Sequence, residues 1–340
     1  MARDVLSTAR PQRADRLHRL LTAELAAAGC FRAAPLRCAA YAAFVFAGYA
    51  AAYVTLLCDP SFGVRAIAIG AAAFFTMHAG FLAHEAGHGA ISKERRLSDA
   101  IGQLYHTLLT GLCYTYFQHI HRLHHPHCND RGRDPDMQSE FFSMYRESAQ
   151  TKNGFGRLVS RHQAVLIWIL VWLQGFTLRM DSLRYLRREP KATRVDQVLL
   201  VLHYGLWLVL PAFVLGLPGA LLNYTLTTLL IGGYTGTVFL VNHIGTRVIE
   251  PGEAISHFRQ ELAVTRNLGD SRLEDFLFGG LNNHIEHHVF PSMPTARLRA
   301  ARRITRAFCH RHGVAYREMS WLDAAREVAR HFKAVSAHVP

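Results

Sequence analysis

The chain has 340 residues, half of them hydrophobic, and a formal net charge of +13. That length suits two soluble domains or one membrane bundle with a helical cap. The basic excess comes in blocks around apolar runs and brings no nucleic-acid-binding motif, which argues against nucleic acid as a partner.

Residues 1–37 form a polar, arginine-dotted lead-in, amphipathic around Leu17–Ala28 and read as cytosolic. Apolar runs follow at 38–58 and 64–83, and again at 197–217 and 220–242. Each is close to the ~20 helical residues that cross a bilayer core of about 30 Å, so four transmembrane helices are expected. None contains Asp, Glu or Lys, and only Arg65 marks an end. Asp59-Pro60-Ser61-Phe62-Gly63 and Leu217-Pro218-Gly219 are turn sequences, which pairs the spans as two hairpins.

Residues 101–118 mix apolar and aromatic side chains and suit an interfacial helix. The apolar run 164–178 is shorter, and we read it as interfacial too. Were it to cross, the basic stretch 179–194 would change sides. Residues 297–340 read as basic cytosolic helices. Seven arginines precede the first span, six basic residues lie in 179–194 and ten lie from Arg297 to Lys333. The two short turns carry none. By the positive-inside rule both termini and the middle loop are expected in the cytoplasm. The six cysteines form no C-x-x-C pair, so reduced thiols are expected.

The chemistry lies in histidines beside these runs. His84-Glu85-Ala86-Gly87-His88 ends the second span. His121-Arg122-Leu123-His124-His125 follows the interfacial helix, and His284-Ile285-Glu286-His287-His288 lies in the tail. His243 stands where the fourth span emerges. Positions i, i+3 and i+4 share a helix face, so each cluster can aim two or three imidazoles at one point. The first cluster also fits H-E-x-x-H, the zinc metalloprotease pattern. That reading uses two histidines and leaves two H-x-x-H-H clusters unexplained. Nine imidazoles exceed one metal's needs, and all-nitrogen ligation of a redox ion suits two irons better than zinc. Glu85, Glu286 and Asp134 are expected to orient imidazole N–H groups from outside the ligand set. His78 and His203, inside spans, are expected to hydrogen-bond a neighbouring helix.

In order and spacing, the clusters resemble the three histidine boxes of membrane fatty acid desaturases. The segments His124-His125-Pro126-His127-Cys128-Asn129, Asp134-Pro135-Asp136, Val264-Thr265-Arg266-Asn267 and Gly279-Gly280-Leu281-Asn282 are similar to the acyl-lipid and acyl-CoA branch. The resemblance implies an all-α integral membrane fold, with four transmembrane helices and a cytosolic helical cap over the site. It makes His84, His88, His121, His124, His125, His284, His287 and His288 iron ligands, with His243 the ninth. It further implies an oxidase that uses O2 and two electrons to desaturate an acyl chain linked to CoA, a carrier protein or a lipid. Electrons would come from a separate ferredoxin or cytochrome b5-type protein, since no haem or iron–sulfur motif is present. A hydroxylase or acetylenase with the same boxes is the alternative within the superfamily. Some acyl-CoA members hold an iron-bound water with an Asn four residues before the span-four histidine. Phe239 stands there in this chain, and Asn242 is the substitute expected for it.

Overall fold

The computed structural model describes residues 11–340, so Arg3 and Arg10 of the expected basic lead lie outside the described residues. The described residues are mostly helical. They divide into two compact units, each discontinuous in sequence: residues 33–122 with 162–241, and residues 11–32 with 123–161 and 242–340.

Among the described residues, four helices are long and apolar enough to cross a membrane: Pro35–Leu57, Phe62–Gly87, Gln163–Arg188 and Arg194–His243. Pro35 opens the first, a position where its missing N–H costs nothing. Phe44 and Gly48 of that helix meet Phe75 of the next, and Tyr41 meets His78, which lays the two side by side. The last is really two stretches, because Gly216 has φ 73° and ψ 160° inside it. Tyr224 beyond the break packs on His203 and Trp207 before it.

Two expectations change in detail. The run 164–178 belongs to a 26-residue helix, Gln163–Arg188, so shortness no longer argues against a crossing. Its extension carries Arg179, Asp181, Arg184, Arg187 and Arg188, which is why hydropathy alone ended it early. The expected helix 101–118 is broken. A helix Arg95–Gly102 runs into a π-helical turn, Gln103–Leu109, and a new helix starts at Tyr114. Gly111, with φ 73°, makes the break; a Cβ there would meet His203 Nε2 at 2.3 Å.

The other unit buries one face of the N-terminal helix Pro11–Ala27. Leu17, Leu21 and Leu25 pack with Phe258, Leu262, Val289 and Phe308. The helices Thr295–His312 and Trp321–Ser336 close this unit. A parallel pair of two-residue strands, Asn267–Leu268 with Glu318–Met319, joins its halves.

Candidate metal centre

In the unit of residues 33–122 and 162–241, three box histidines meet. His84 lies in the last turn of the helix Phe62–Gly87, and His88 caps it. His121 comes from the helix Tyr114–His127. The three rings lie 4.7–4.8 Å apart, centroid to centroid, and the Nε2 atoms of His88 and His121 are 2.8 Å apart. Phe117 stacks on His121 at 4.8 Å and holds its plane.

Asp196 fixes the start of that helix. Fully buried, it accepts the Tyr114 backbone N–H at 2.9 Å and the hydroxyls of Thr107 and Thr115 at 2.5 Å. A carboxylate among the orphan N–H groups of a helix start is favourable twice, by hydrogen bonding and by the helix dipole.

The other unit gathers His124, His125, His243, His284, His287 and His288. His284, His287 and His288 occupy the short helix His284–Val289, reached through Gly279 and Gly280, both at positive φ. His243 is the hub, with ring centroids 5.0, 4.6 and 4.7 Å from His124, His284 and His288. His125 stacks on His288 at 4.2 Å and meets His287 edge-on at 4.8 Å.

Each imidazole around the hub is held from outside through Nδ1. Asp134 lies 3.0 Å from Nδ1 of His124 and also accepts the Asn129 backbone N–H at 2.7 Å. Glu261 lies 2.9 Å from Nδ1 of His288, with its other oxygen 3.3 Å from His257. The Val264 carbonyl accepts from His243 Nδ1 at 3.2 Å. The amide of Asn242 lies 3.3 Å from Nδ1 of His284. With Nδ1 donating to a carboxylate or carbonyl, His124, His243 and His288 can turn Nε2 lone pairs inward, whereas Nδ1 of His284 accepts from the Asn242 amide, leaving its Nε2–H to donate to His243 Nε2 at 2.7 Å.

Local electrostatics agree. Burial pushes His284 and His288 well below their ordinary pKa, so both are neutral, as ligands must be. His124 differs: burial opposes its charge, but Asp136 and Asp134 outweigh it and raise the group to about 9, so without a metal this ring keeps a proton that it would have to lose to become a ligand.

The structure places the other expected residues unevenly. Asp134 and Asn242 stand against the imidazoles of His124 and His284. Glu286 does not: it accepts from Asn267 Nδ2 at 2.8 Å and Tyr316 OH at 2.7 Å, and burial raises it to about 7. It lies between His284 and His287 in sequence, so the helix turns it onto another face, toward the short strand. Glu85 lies near Tyr41 and Cys38. Sequence reasoning missed Glu261, whose partner lies far along the chain. His78 and His203 do bond neighbouring segments, through Tyr41 OH at 2.6 Å and the Leu108 carbonyl at 2.8 Å.

The fatty acid desaturase profile matches residues 60–320. The chain belongs to the fatty acid desaturase family. It is therefore an oxidoreductase of lipid metabolism, and its candidate spans fit a membrane protein. Among curated relatives it is 26% identical over 326 residues to a Delta(8)-fatty-acid desaturase of Borago officinalis, covering 90% of this chain and 72% of the relative. It is 25% identical over 267 residues to the acyl-lipid (9-3)-desaturase of the same plant, covering 74% and 59%. It is 24% identical over 302 residues to Delta(8)-fatty-acid desaturase 1 of Arabidopsis thaliana, covering 84% and 66%. The matched stretch thus falls below two thirds of the length of two of these relatives.

Proposed function

We propose that this protein is an O2-dependent desaturase that inserts a double bond into an acyl chain at a histidine-ligated diiron centre. The observation that carries the reading is the cluster of buried imidazoles around His243, in which Asp134, Glu261 and the Val264 carbonyl engage Nδ1 of His124, His288 and His243 and leave their Nε2 atoms for a metal. His124, His243, His284 and His288 would hold one iron. His84, His88 and His121 would supply nitrogens for the other.

When bound, the iron pair supplies the oxidising power to take two hydrogens from adjacent methylenes, one after the other. O2, two electrons and two protons are consumed, and two waters are released. The chain's own part is placement. Asp134 and Glu261 fix tautomer and ring orientation for His124 and His288, and raise their basicity. The apolar surroundings keep water from competing for the oxidant.

The substrate is a fatty acyl chain, and the relatives' printed names favour a lipid-linked one over CoA or carrier-protein esters. The electron donor is a separate protein of ferredoxin or cytochrome b5 type. Both termini and the centre face the cytoplasm, with four crossings and the helix Gln163–Arg188 at the interface.

The test is expression in a host of known lipid content, with mass spectrometry of the acyl chains and metal analysis after anaerobic Fe(II) reconstitution. A product two mass units lighter and two irons per chain are expected. A product gaining one oxygen would instead establish a hydroxylase, and failure to take up iron would overturn the diiron reading. His124→Ala and His287→Ala should each abolish product while membrane insertion persists, because both residues lie outside the spans. A metalloprotease reading would require peptidase activity that survives these two changes.

A further inference from the structure

Cys128 is the one sulfur among these nitrogens. It follows the helix Tyr114–His127 directly and is fully buried beside Ile249 and Val264. Its carbonyl accepts from Gln260 Nε2 at 3.2 Å. Its Sγ lies 3.1 Å from His243 Nδ1. Moreover, His124, Cys128, His243 and His288 each offer a ligating atom within 4.8 Å of the other three.

His243 thus faces two ways. Its Nε2 looks toward His284 Nε2 at 2.7 Å, and its Nδ1 toward Cys128 Sγ and the Val264 carbonyl. His124 and His288 have Nδ1 committed to carboxylates and present Nε2 in either case. Two donor sets therefore share three imidazoles: an all-nitrogen set completed by His284, and a three-nitrogen, one-sulfur set completed by Cys128. Tetrahedral histidine–cysteine ligation is a zinc geometry. Thiolate ligands favour softer ions, and zinc outranks Fe(II) for a given site.

We propose that His124, Cys128, His243 and His288 form a second, mutually exclusive metal site that takes zinc in place of iron. On zinc binding the Cys128 S–H bond breaks, its proton leaves to solvent and a zinc–sulfur bond forms. The His243 proton passes from Nδ1 to Nε2, freeing Nδ1 for the metal. No electron changes hands. The proposal rests on the reading of His124, His243 and His288 as ligands and adds a competing ion and a residue that admits it.

The test uses the full chain in detergent, stripped by chelation, titrated with Co(II) as a spectroscopic substitute for zinc and then competed with Zn(II). The wild type should show a sulfur-to-cobalt charge-transfer band in the near ultraviolet. Cys128→Ser and Cys128→Ala should both lose it, while His284→Ala keeps it. Losing even an outer partner costs about 10–100-fold in metal affinity, so zinc affinity should fall at least that far in both cysteine variants. Their Fe(II) uptake should be unchanged. Cobalt spectra of the wild type without a sulfur band would overturn the proposal. So would cysteine variants that lose cobalt and iron together, since the thiol would then be holding the structure. A wild type that binds neither cobalt nor iron would overturn the underlying ligand reading itself.

Discussion

At the scale of single residues, two buried carboxylates set the direction of the metal-facing nitrogens. Glu261 is fully buried and bonded to His288, and burial raises it to about 7. Glu261→Gln keeps the shape and removes the negative charge that makes the imidazole a stronger base. Iron affinity should drop about 10–100-fold, measured by competition with a chelator of known strength. Asp134→Asn should do the same through His124. Glu286→Gln should not, because that side chain holds Asn267 and Tyr316 instead; equal loss in all three would mean that the imidazoles are not steered individually. Asp134 was legible because it lies just past the second box, where a local turn can return it to the histidine. Glu261 was not, since its histidine lies 27 residues further on and only the tertiary fold joins them. Glu286 shows the opposite error: nearness in sequence suggested a contact that the 100° step of a helix forbids.

Between single residues and the whole chain lie the helices, and their placement depends on close approach as much as on hydropathy. Gly232 sits against the Trp172 carbonyl, where a Cβ would lie 2.3 Å from the oxygen, and Gly175 sits as tightly against the Thr228 carbonyl at 2.4 Å. A backbone oxygen cannot step aside. Gly232→Ala should therefore force the helix Gln163–Arg188 away from the helix after Gly216 and lower the thermal midpoint of the detergent-solubilised protein. Gly70→Ala, with nothing within 4 Å, should leave the midpoint unchanged or raise it, through the ~1 kcal/mol gain in helix propensity. Unchanged stability in Gly232→Ala would show that the two helices do not depend on this contact. Asp196→Ala is the sharper case. It removes the acceptor for Tyr114 N–H, Thr107 and Thr115, and each buried donor left unpaired costs about 1–3 kcal/mol. A large loss of folded yield is expected, with Asp196→Asn milder. Spans and boxes were readable from apolar length and i, i+3, i+4 spacing. The break at Gly111 and the glycine contacts were not, because hydropathy cannot tell which glycine faces a backbone.

For the molecule as a whole, the parity of membrane crossings decides on which side each histidine box lies. Five helical stretches have the length: Pro35–Leu57, Phe62–Gly87, Gln163–Arg188 and the two halves of Arg194–His243. Five crossings would leave the first and third boxes on opposite sides of the bilayer, and no shared centre could then form. Four crossings keep them together. They also keep the basic residues of 179–194 with the basic tail, as the positive-inside rule prefers. Arg187, Arg188, Lys191 and Arg194 would make a costly translocated loop, which favours an interfacial position for Gln163–Arg188. Native Cys58, exposed beside the first turn, is a ready reporter. In right-side-out vesicles a membrane-impermeant maleimide should label Cys58, and also Leu217→Cys in a Cys58→Ser background. Lys191→Cys in that background should react only after the vesicles are opened, as should a cysteine placed at Arg330. Labelling of Lys191→Cys from outside would require a fifth crossing and would break the single-centre reading, whatever the histidines do locally.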